Sequence, residues 1–302
     1  MKKKILITGG SGLIGTRLTE LLTETGHSVA HLGRSVRSGG VKTYLWDIGK
    51  KTIDSSALVG ADTVINLAGA NLGDKRWTRK RKEDILQSRL QSTGLLFEEL
   101  KKGNHRVKTF VSASAVGFYG SGDNQKYFTE EDKQGMGFLA DVVGKWERAV
   151  DEIATVGIRV VKLRAGVVLS DRGGALKEML LPVKLYVGSP LGTGEQMLSW
   201  IHLDDLCRIF IKAVEDEAMN GLYNAVAPNP VSNKELTYMM ARIVQRPILL
   251  PKVPAFTIKL LFGELAEVVL EGSKVSSDKI QNTGFKFQFE NAEDALIDLL
   301  KK

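Results

Sequence analysis

The chain has 302 residues, a formal net charge of +7, four histidines and a single cysteine. At this length it forms one large domain or two smaller ones, and its 43% hydrophobic content supplies a sizeable core. Cys207 has no partner for an intrachain disulfide and lies in an apolar-periodic stretch, so we interpret it as a buried structural thiol. The histidines are scattered, and we expect no metal site.

The sequence contains no apolar run of about twenty residues, the length that a membrane-spanning helix needs. A strand predicted to start at Lys3 leaves no room for a signal sequence, so we expect a cytoplasmic protein without a membrane partner. Lysines and arginines are spread along the chain without a nucleic-acid motif, and we ascribe the positive charge to solubility. The expected partner is a small-molecule substrate, for a monomer or a homodimer.

Residues 2–15 run from an apolar strand through a glycine-spaced turn into a helix. Gly9 permits the tight exit from the strand, Gly12 leaves room for backbone N–H groups beside a pyrophosphate, and Gly15 allows close helix–strand packing. The N-terminus of the helix then faces the anion. We therefore expect dinucleotide contacts from Gly9, Ser11, Gly12, Leu13, Ile14 and Gly15.

The residues after this turn complete a βαβ unit. Gly26 stands where the helix should stop, and residues 28–32 have the apolar character of a second buried strand. This context strengthens the prediction of dinucleotide binding, because a glycine triplet alone is a weak signal. One face of the helix is apolar, at Ile14, Leu18, Leu21 and Leu22.

Alternating strands and helices predict a Rossmann-type α/β fold, with a doubly wound parallel sheet and helices on both faces. Right-handed crossovers would bring the carboxyl ends of the strands to one edge, where the active site is expected. Further strands are predicted at residues 44–48, 63–68, 107–112 and 158–163.

The regular alternation fades at about Gly173. We predict a dinucleotide-binding domain over residues 1–172 and a small C-terminal α/β substrate lobe over residues 173–302, from which the chain could cross back into the sheet. The lobe includes an extension at 251–302. Within it, Ser232 and Glu235 form a capping box that begins a helix running through Val244.

Together with the glycine turn at residues 8–15, three later motifs carry a family resemblance, at residues 47–48, 66–69 and 112–114. Through them the sequence resembles the extended, epimerase-like branch of the short-chain dehydrogenase/reductase superfamily. It is most similar to the "epimerase family" subgroup, and residues 251–300 resemble the short extra domain of that subgroup. The subgroup motifs lie at 76–78, 88–89, 112–120, 138–140 and 200–205.

The resemblance implies roles for residues at several strand ends. Asp47 and Ile48 would bracket the adenine, and Ser114 would lie beside the nicotinamide. Ser112 would belong to the cofactor site as well. The ribose and pyrophosphate would be lined by Leu67, Ala68 and Gly69.

The end of the second strand favours NADP over NAD. A carboxylate there would bind an unmodified ribose hydroxyl, but the chain has Arg34 just after the strand and no acid. A guanidinium instead offers a charge-assisted fork to a 2′-phosphate.

The superfamily places Tyr and Lys four residues apart on one helical face, where Lys lowers the pKa of the phenol. In this chain Lys145 fits the lysine position, as a catalytic and cofactor-binding residue, but Asp141 replaces the tyrosine. Tyr119 follows the same strand end as Ser114 and is a candidate proton donor. A packed loop aromatic is the alternative interpretation of Tyr119.

The remaining candidates would contact the substrate. Basic residues are dense from Lys75 to Lys82, either as a solvated helix start or as a grip on an anionic ligand. Arg164 could cap its loop or contact such a ligand, and His202 could be a structural residue or a base. The substrate-side candidates are Arg76, Trp77, Arg89, Arg164 and His202.

Two functions follow from these residues. The first is an NADP(H)-dependent oxidoreductase or epimerase that acts on a polar carbonyl or alcohol or on a sugar-nucleotide-like substrate. The second is an NADP(H)-binding regulatory or scaffold protein that lacks the usual catalytic tyrosine. Asp141 is the residue that separates the two.

Overall fold

The apolar run at the amino terminus forms the first strand of an eight-stranded sheet, in a computed structural model that describes residues 2–36, 40–122 and 126–301. The strands in the described part are β1 (Lys4–Thr8), β2 (Ser28–Gly33), β3 (Thr43–Asp47), β4 (Thr52–Ile53), β5 (Thr63–Asn66), β6 (Thr109–Ala115), β7 (Tyr127–Phe128), β8 (Arg159–Ala165), β9 (Val167–Leu169), β10 (Met197–Leu198), β11 (Trp200–His202), β12 (Gly221–Ala225), β13 (Val231–Ser232) and β14 (Lys274–Val275).

The helices in the same part are α1 (Leu13–Glu24), α2 (Ser56–Val59), α3 (Arg79–Lys101), α4 (Phe138–Asp151), α5 (Ala175–Lys184), α6 (Leu203–Glu215), α7 (Asn233–Ile243), α8 (Ala255–Phe262), α9 (Ala266–Leu270), α10 (Asp278–Gln281) and α11 (Ala292–Leu300). Short 3₁₀ turns follow β6, α4 and α8, at Val116–Tyr119, Glu152–Val156 and Gly263–Leu265. None of the helices described is both long and apolar enough to cross a membrane.

The main sheet has the strand order β12-β8-β6-β5-β1-β2-β3-β4. Its pairs are parallel except for β3 with β4. The chain moves outward from β1 in one direction through β2 and β3, and in the other through β5, β6 and β8. The strand order therefore reverses between β1 and β5, the place where doubly wound sheets bind ligands beyond the strand ends. The predicted Rossmann-type fold is confirmed.

The two faces of the sheet bury different residues because successive side chains of a strand point to opposite sides. Ile7, Val111 and Leu163 pack with helices α1 and α6 on one face. Leu6 and Phe110 pack with α3 and α4 on the other. Both faces are thus covered by helices, and the reactive groups of the sheet lie at its carboxyl edge.

A third apolar core lies in the second half of the chain. It contains Leu176 of α5, Leu236 of α7 and Leu296 of α11, with Trp200 of β11. In contrast, α6 packs in the core of the main sheet and β12 forms one edge of that sheet. After residue 172 the chain therefore contributes both to this third core and to the main sheet.

Candidate functional site

The turn after β1 needs glycine at two positions. Gly9 has a φ of +67°, and a Cβ there would lie 2.9 Å from the carbonyl carbon of Leu67. At Gly15 a Cβ would lie 2.4 Å from the carbonyl oxygen of Gly9. The turn, the loop after β5 and the first turn of α1 are therefore in direct contact, at the point where the strand order reverses.

Gly12 differs from these two glycines because it faces open space. A Cβ there would meet only the Gly9 carbonyl oxygen, at an ordinary 3.4 Å. Helix α1 begins immediately after Gly12, with no side-chain cap and no acid in its first turn. Its first N–H groups and positive dipole end are available to an anion. Ser11 beside Gly12 is exposed, whereas Leu13 and Ile14 are half-buried.

Buried hydroxyl and amide groups support this turn from below. The Thr8 hydroxyl donates to Asn66 Oδ1 (2.8 Å) and accepts the backbone N–H groups of Leu67 and Ala68. Asn66 Nδ2 then donates to the hydroxyl of Ser112. Ser112 is fully buried, and its hydroxyl helps to hold Asn66 at the end of β5. The cofactor contact expected of Ser112 stays a prediction.

The residues expected at the adenine end come together. Arg34, Asp47 and Ile48 line one open cavity of about 620 Å³, formed by the ends of β2 and β3 and by the β3–β4 connection. Arg34 is exposed directly after β2. Asp47 also accepts a hydrogen bond from the backbone N–H of Lys50, as a turn residue does.

A row of polar residues crosses three neighbouring strands near their carboxyl ends. Ser114 of β6 is aligned with Arg164 of β8, and Arg164 is aligned with Asn224 of β12. All three are at least 95% buried, since their exposed fractions are 5%, 2% and 0%. Arg164 Nη1 and Asn224 Nδ2 have no hydrogen-bond partner among the described residues.

Glu147 of α4 anchors this row and was missed by the sequence analysis. Ser114 donates to Glu147 Oε1 at 2.5 Å, and Arg164 donates to both carboxylate oxygens at 2.8 and 2.7 Å. Ser114 is thus held by a buried, bidentate ion pair that ties α4 to the sheet. The signal was available, because Glu147 lies on the apolar face formed by Val143, Trp146 and Val150.

Asp141 and Lys145 lie on the other side of α4. Both are exposed, whereas Val143 and Glu147 are buried. A helix turns by about 100° per residue, so Lys145 is about 200° away from Glu147 and points away from Ser114. The structure does not bring Lys145 or Asp141 to Ser114, because the helix buries the stripe that carries Glu147 instead.

Tyr119 is 1% exposed and packs against Phe118 and Phe128. Its hydroxyl donates to Asn224 Oδ1 at 2.7 Å. Burial raises the pKa of Tyr119 to about 12, and the nearby Arg164 opposes that rise only in part. Of the two interpretations, this placement is that of a packed aromatic rather than of a proton donor in an open cleft.

Arg164 is buried at 2% exposure. Its guanidinium is paired with Glu147 and lies over the Phe118 ring, 3.4 Å from the ring centroid. His202 likewise has structural contacts. Its Nδ1 accepts the backbone N–H of Asp204 at the start of α6, and its ring stacks on Phe289.

The other substrate candidates lie around the start of α3. Trp77 is buried and donates to the carbonyl of Leu72, so it belongs to the core. Arg76 is exposed and donates to the carbonyl of Leu260 in the last turn of α8. Arg89 donates to the Ala70 carbonyl, in the loop after β5.

No group of three or more His, Cys, Asp or Glu side chains in the described ranges is arranged to hold a metal ion. Cys207 is buried, and burial raises the pKa of its thiol well above the usual range.

The glycine turn, the uncapped α1 and the cavity at Arg34 define a doubly wound protein of the dinucleotide-binding class. The chain belongs to the NAD dependent epimerase/dehydratase family, whose sequence pattern matches residues 5–225. Residues 253–299 match a second pattern, "Domain of unknown function (DUF1731)". The resemblance inferred from the motifs is therefore confirmed for both parts.

Similar proteins extend over the whole chain. An "Epimerase family protein" of Staphylococcus aureus is 36% identical over 301 residues, which are 99% of this chain and 100% of that protein. The crystal structure of human epimerase family protein SDR39U1 (isoform2) with NADPH is 31% identical, with a TM-score of 0.87 and 99% coverage of both chains. A nucleoside-diphosphate sugar epimerase from Corynebacterium glutamicum is 34% identical, with a TM-score of 0.81, and 99% of this chain matches 58% of that one.

Proposed function

We propose that this chain binds NADP(H) in preference to NAD(H), as the cofactor of an oxidoreductase or epimerase with a small polar substrate. The observation that carries the proposal is that Arg34, directly after β2, lines one cavity with Asp47 and Ile48 of the β3 end, while β2 itself ends without an acid. A carboxylate at that position would repel a 2′-phosphate, whereas a guanidinium binds it. The NADPH in the structure of the human relative supports this choice of cofactor.

Each part of the dinucleotide has a matching set of residues along the carboxyl edge. The open face of Gly12 and the first N–H groups of α1 would hold the pyrophosphate. Leu67, Ala68 and Gly69 would line the ribose on the nicotinamide side, since their loop lies against Gly9. Bound NADP(H) would supply or accept a hydride at its nicotinamide ring.

The proton for such a reaction cannot come from the usual Tyr–Lys pair. On α4 the stripe that faces Ser114 carries Val143 and Glu147, and the side chain of Leu139 faces Gly117 of the turn after β6. Ser114 and Glu147 share a hydrogen bond at that end of the sheet, beside the buried Arg164. The substrate class consistent with the family is a carbonyl, an alcohol or a sugar-nucleotide-like compound.

The positions of the candidate proton donors also favour a second candidate, an NADP(H)-binding regulatory or scaffold protein. Such a protein needs the residues that hold the cofactor but no proton donor. Tyr119 is buried, and Asp141 and Lys145 are exposed on the side of α4 that faces away from Ser114. The two candidates share the cofactor and differ in turnover.

Turnover of NADPH separates them. The purified protein is first titrated with NADPH by following nicotinamide fluorescence, and NADPH oxidation is then followed with aldehydes, ketones and sugar nucleotides. Saturable binding together with oxidation of NADPH by one substrate class supports the enzyme. An epimerase returns the hydride to its product and gives no net oxidation, so the sugar nucleotides are also checked for epimerisation in the presence of NADP+. Binding with neither oxidation nor epimerisation across the whole panel supports the regulatory protein, and absence of NADPH binding rejects both.

A further inference from the structure

Two arginines of α3 grip the loop that follows β5. Arg89 Nη1 donates to the carbonyl of Ile85 in its own helix at 2.9 Å and to that of Ala70 at 3.3 Å, and Arg81 donates to the carbonyl of Asn71. Arg81 and Arg89 are eight residues apart on α3, so their positions differ by about 80° around the helix axis. Their acceptors are adjacent residues, and both guanidinium groups therefore meet the same short segment of the carboxyl edge.

Neither arginine has an acidic partner among the described residues. The ion pairs in that part of the chain match other cations with carboxylates, as in Arg17 with Asp204 and Lys82 with Glu264, but none includes Arg81 or Arg89. Burial and the neighbouring charge of Arg81 lower the pKa of Arg89 to about 10. Two cations that repel one another are thus held together without an anion, an arrangement that costs free energy in the unliganded protein.

The surroundings of Arg89 are built to hold its guanidinium in place. The group lies over the ring of Trp146, 5.2 Å from the centroid, and a Cβ on Gly69 would come within 3.1 Å of its Cζ. Glycine at position 69 therefore lets the guanidinium approach the loop. Arg81 Nε is buried and has no hydrogen-bond partner in the described residues.

The loop with these arginines adjoins the proposed cofactor cradle. Leu67, at the start of the loop, touches Gly9 of the turn after β1. The cofactor phosphates already have other partners, because α1 serves the pyrophosphate and Arg34 the 2′-phosphate in the proposed function. The positive charge of Arg81 and Arg89 is therefore left for a second anionic molecule.

We propose that Arg81 and Arg89 form an oxyanion site that binds the phosphate or carboxylate group of an anionic substrate. The proposal deepens the proposed function and rests on it. Guanidinium forks suit both groups, since each presents two oxygens to paired N–H donors. The anion would neutralise both arginines and offer an acceptor to the unpartnered Arg81 Nε.

Inorganic phosphate is the probe that tests this site. Its binding is measured by calorimetry on the unmodified protein, both free and saturated with NADPH, and on Arg81→Gln and Arg89→Gln. We expect phosphate to bind the NADPH-saturated protein and each substitution to weaken that binding by about tenfold or more, the usual effect of losing a charged hydrogen bond. Affinity for NADPH should change less than about threefold, which corresponds to under about 0.7 kcal/mol.

Arg79→Gln is the matched control, because it removes the same charge from the exposed first turn of α3. It should leave phosphate affinity within about twofold, which distinguishes a site from general electrostatic attraction. Arg89→Lys keeps the charge and loses the fork, so it should fall between the unmodified protein and Arg89→Gln. If Arg89→Gln does not fold, the comparison is made with Arg81→Gln and Arg89→Lys instead.

Three results would overturn the inference. The first is no phosphate binding to the unmodified protein, whether NADPH is present or not. The second is an equal loss in Arg79→Gln. The third is competition between phosphate and NADPH with a matching loss of NADPH affinity in both arginine variants, which would assign the arginines to the cofactor. Failure of the proposed function gives a different result, because the unmodified protein would then bind no NADPH. Phosphate binding to the free protein and to its arginine variants would still test the oxyanion site.

Discussion

Ser114 of β6 and Glu147 of α4 share a buried hydrogen bond of 2.5 Å, and the carboxylate of Glu147 also accepts hydrogen bonds from Nε and Nη2 of Arg164. This contact fixes the orientation of α4 on the sheet. It turns the stripe of Val143 and Glu147 inward and leaves Asp141 and Lys145 on the outer surface. The usual Tyr–Lys face of the superfamily is thus occupied by apolar residues and by one paired acid.

Replacing Glu147 should destabilise the protein strongly. Glu147→Gln leaves the guanidinium of Arg164 buried at 2% exposure without a carboxylate, and breaking a buried pair from one side costs about 3 to 5 kcal/mol. Chemical denaturation of both proteins measures the difference. Arg148→Gln, on the exposed face of the same helix, is the control and should change stability by less than about 0.5 kcal/mol. Equal stabilities of Glu147→Gln and the unmodified protein would contradict the structural role.

Tyr119→Phe should affect stability more than chemistry. Removing the hydroxyl leaves Asn224 Oδ1 without its donor in a fully buried position, which costs about 1 to 3 kcal/mol. The melting temperature should fall, and NADPH affinity should stay the same. If the unmodified protein turns over a substrate, a loss of about 100-fold or more in turnover with unchanged stability would instead make Tyr119 the proton donor.

Gly12→Val should abolish dinucleotide binding and leave the fold intact. The valine side chain would fill the open space beside the first turn of α1, where the pyrophosphate is proposed to lie. Circular dichroism checks the fold and NADPH fluorescence checks binding. Gly94→Ala is the matched control, since a Cβ at Gly94 meets no atom within 4 Å, and it should bind NADPH normally. Normal NADPH binding by Gly12→Val would show that the cofactor lies elsewhere.

The stability of the protein should fall as the pH drops below about 6.5, the pKa of histidine in an unfolded chain. Burial lowers the pKa of His202, against the opposing effect of Asp204, Asp298 and Asp205. A histidine whose pKa is lower in the folded state favours unfolding once it is protonated, so its contribution is present above about pH 6.5 and is lost on acidification below it. Melting temperatures between pH 7.5 and 5.5 measure this slope. His202→Asn keeps an N-cap acceptor for α6 and should flatten the curve, and an unchanged slope would show that His202 is not responsible.

Arg34→Asp should reverse the cofactor preference. The substitution replaces a cation by a carboxylate at the end of β2, where an acid hydrogen-bonds the ribose hydroxyl of NAD(H) and repels a 2′-phosphate. NADPH affinity should drop by about ten- to a hundredfold, in line with about 1.5 to 3 kcal/mol for a charged hydrogen bond. Parallel titrations with NADPH and NADH measure the change. A preference that Arg34→Asp leaves intact would exclude Arg34 from phosphate recognition.

The sequence predicted the parts of this structure whose causes are local. Gly9 and Gly15 follow from the backbone conformation and the close packing of a single turn, and the capping box of Ser232 and Glu235 is present at the start of α7. Both signals lie within a few residues. The doubly wound parallel sheet was predicted as well, because strands that alternate with helices have few arrangements.

The arrangement of side chains on α4 depends on tertiary contacts, which the spacing of residues in the sequence does not predict. Lys145 was matched by its distance from Asp141, but the apolar period of Val143, Trp146 and Val150 decides which face is buried. The same period places Glu147 on the buried face of α4. Its partner Arg164 comes from a neighbouring strand, and only the sheet register brings the two together.

The most direct measurement is a pair of equilibrium titrations of the unmodified protein, one with NADPH and one with NADH, followed by nicotinamide fluorescence at the same ionic strength. Because Arg34 is the charged group proposed for the 2′-phosphate, NADPH should bind about tenfold or more tightly than NADH. Superimposable curves for the two cofactors, or no binding of either one, would contradict the proposed preference for NADP(H).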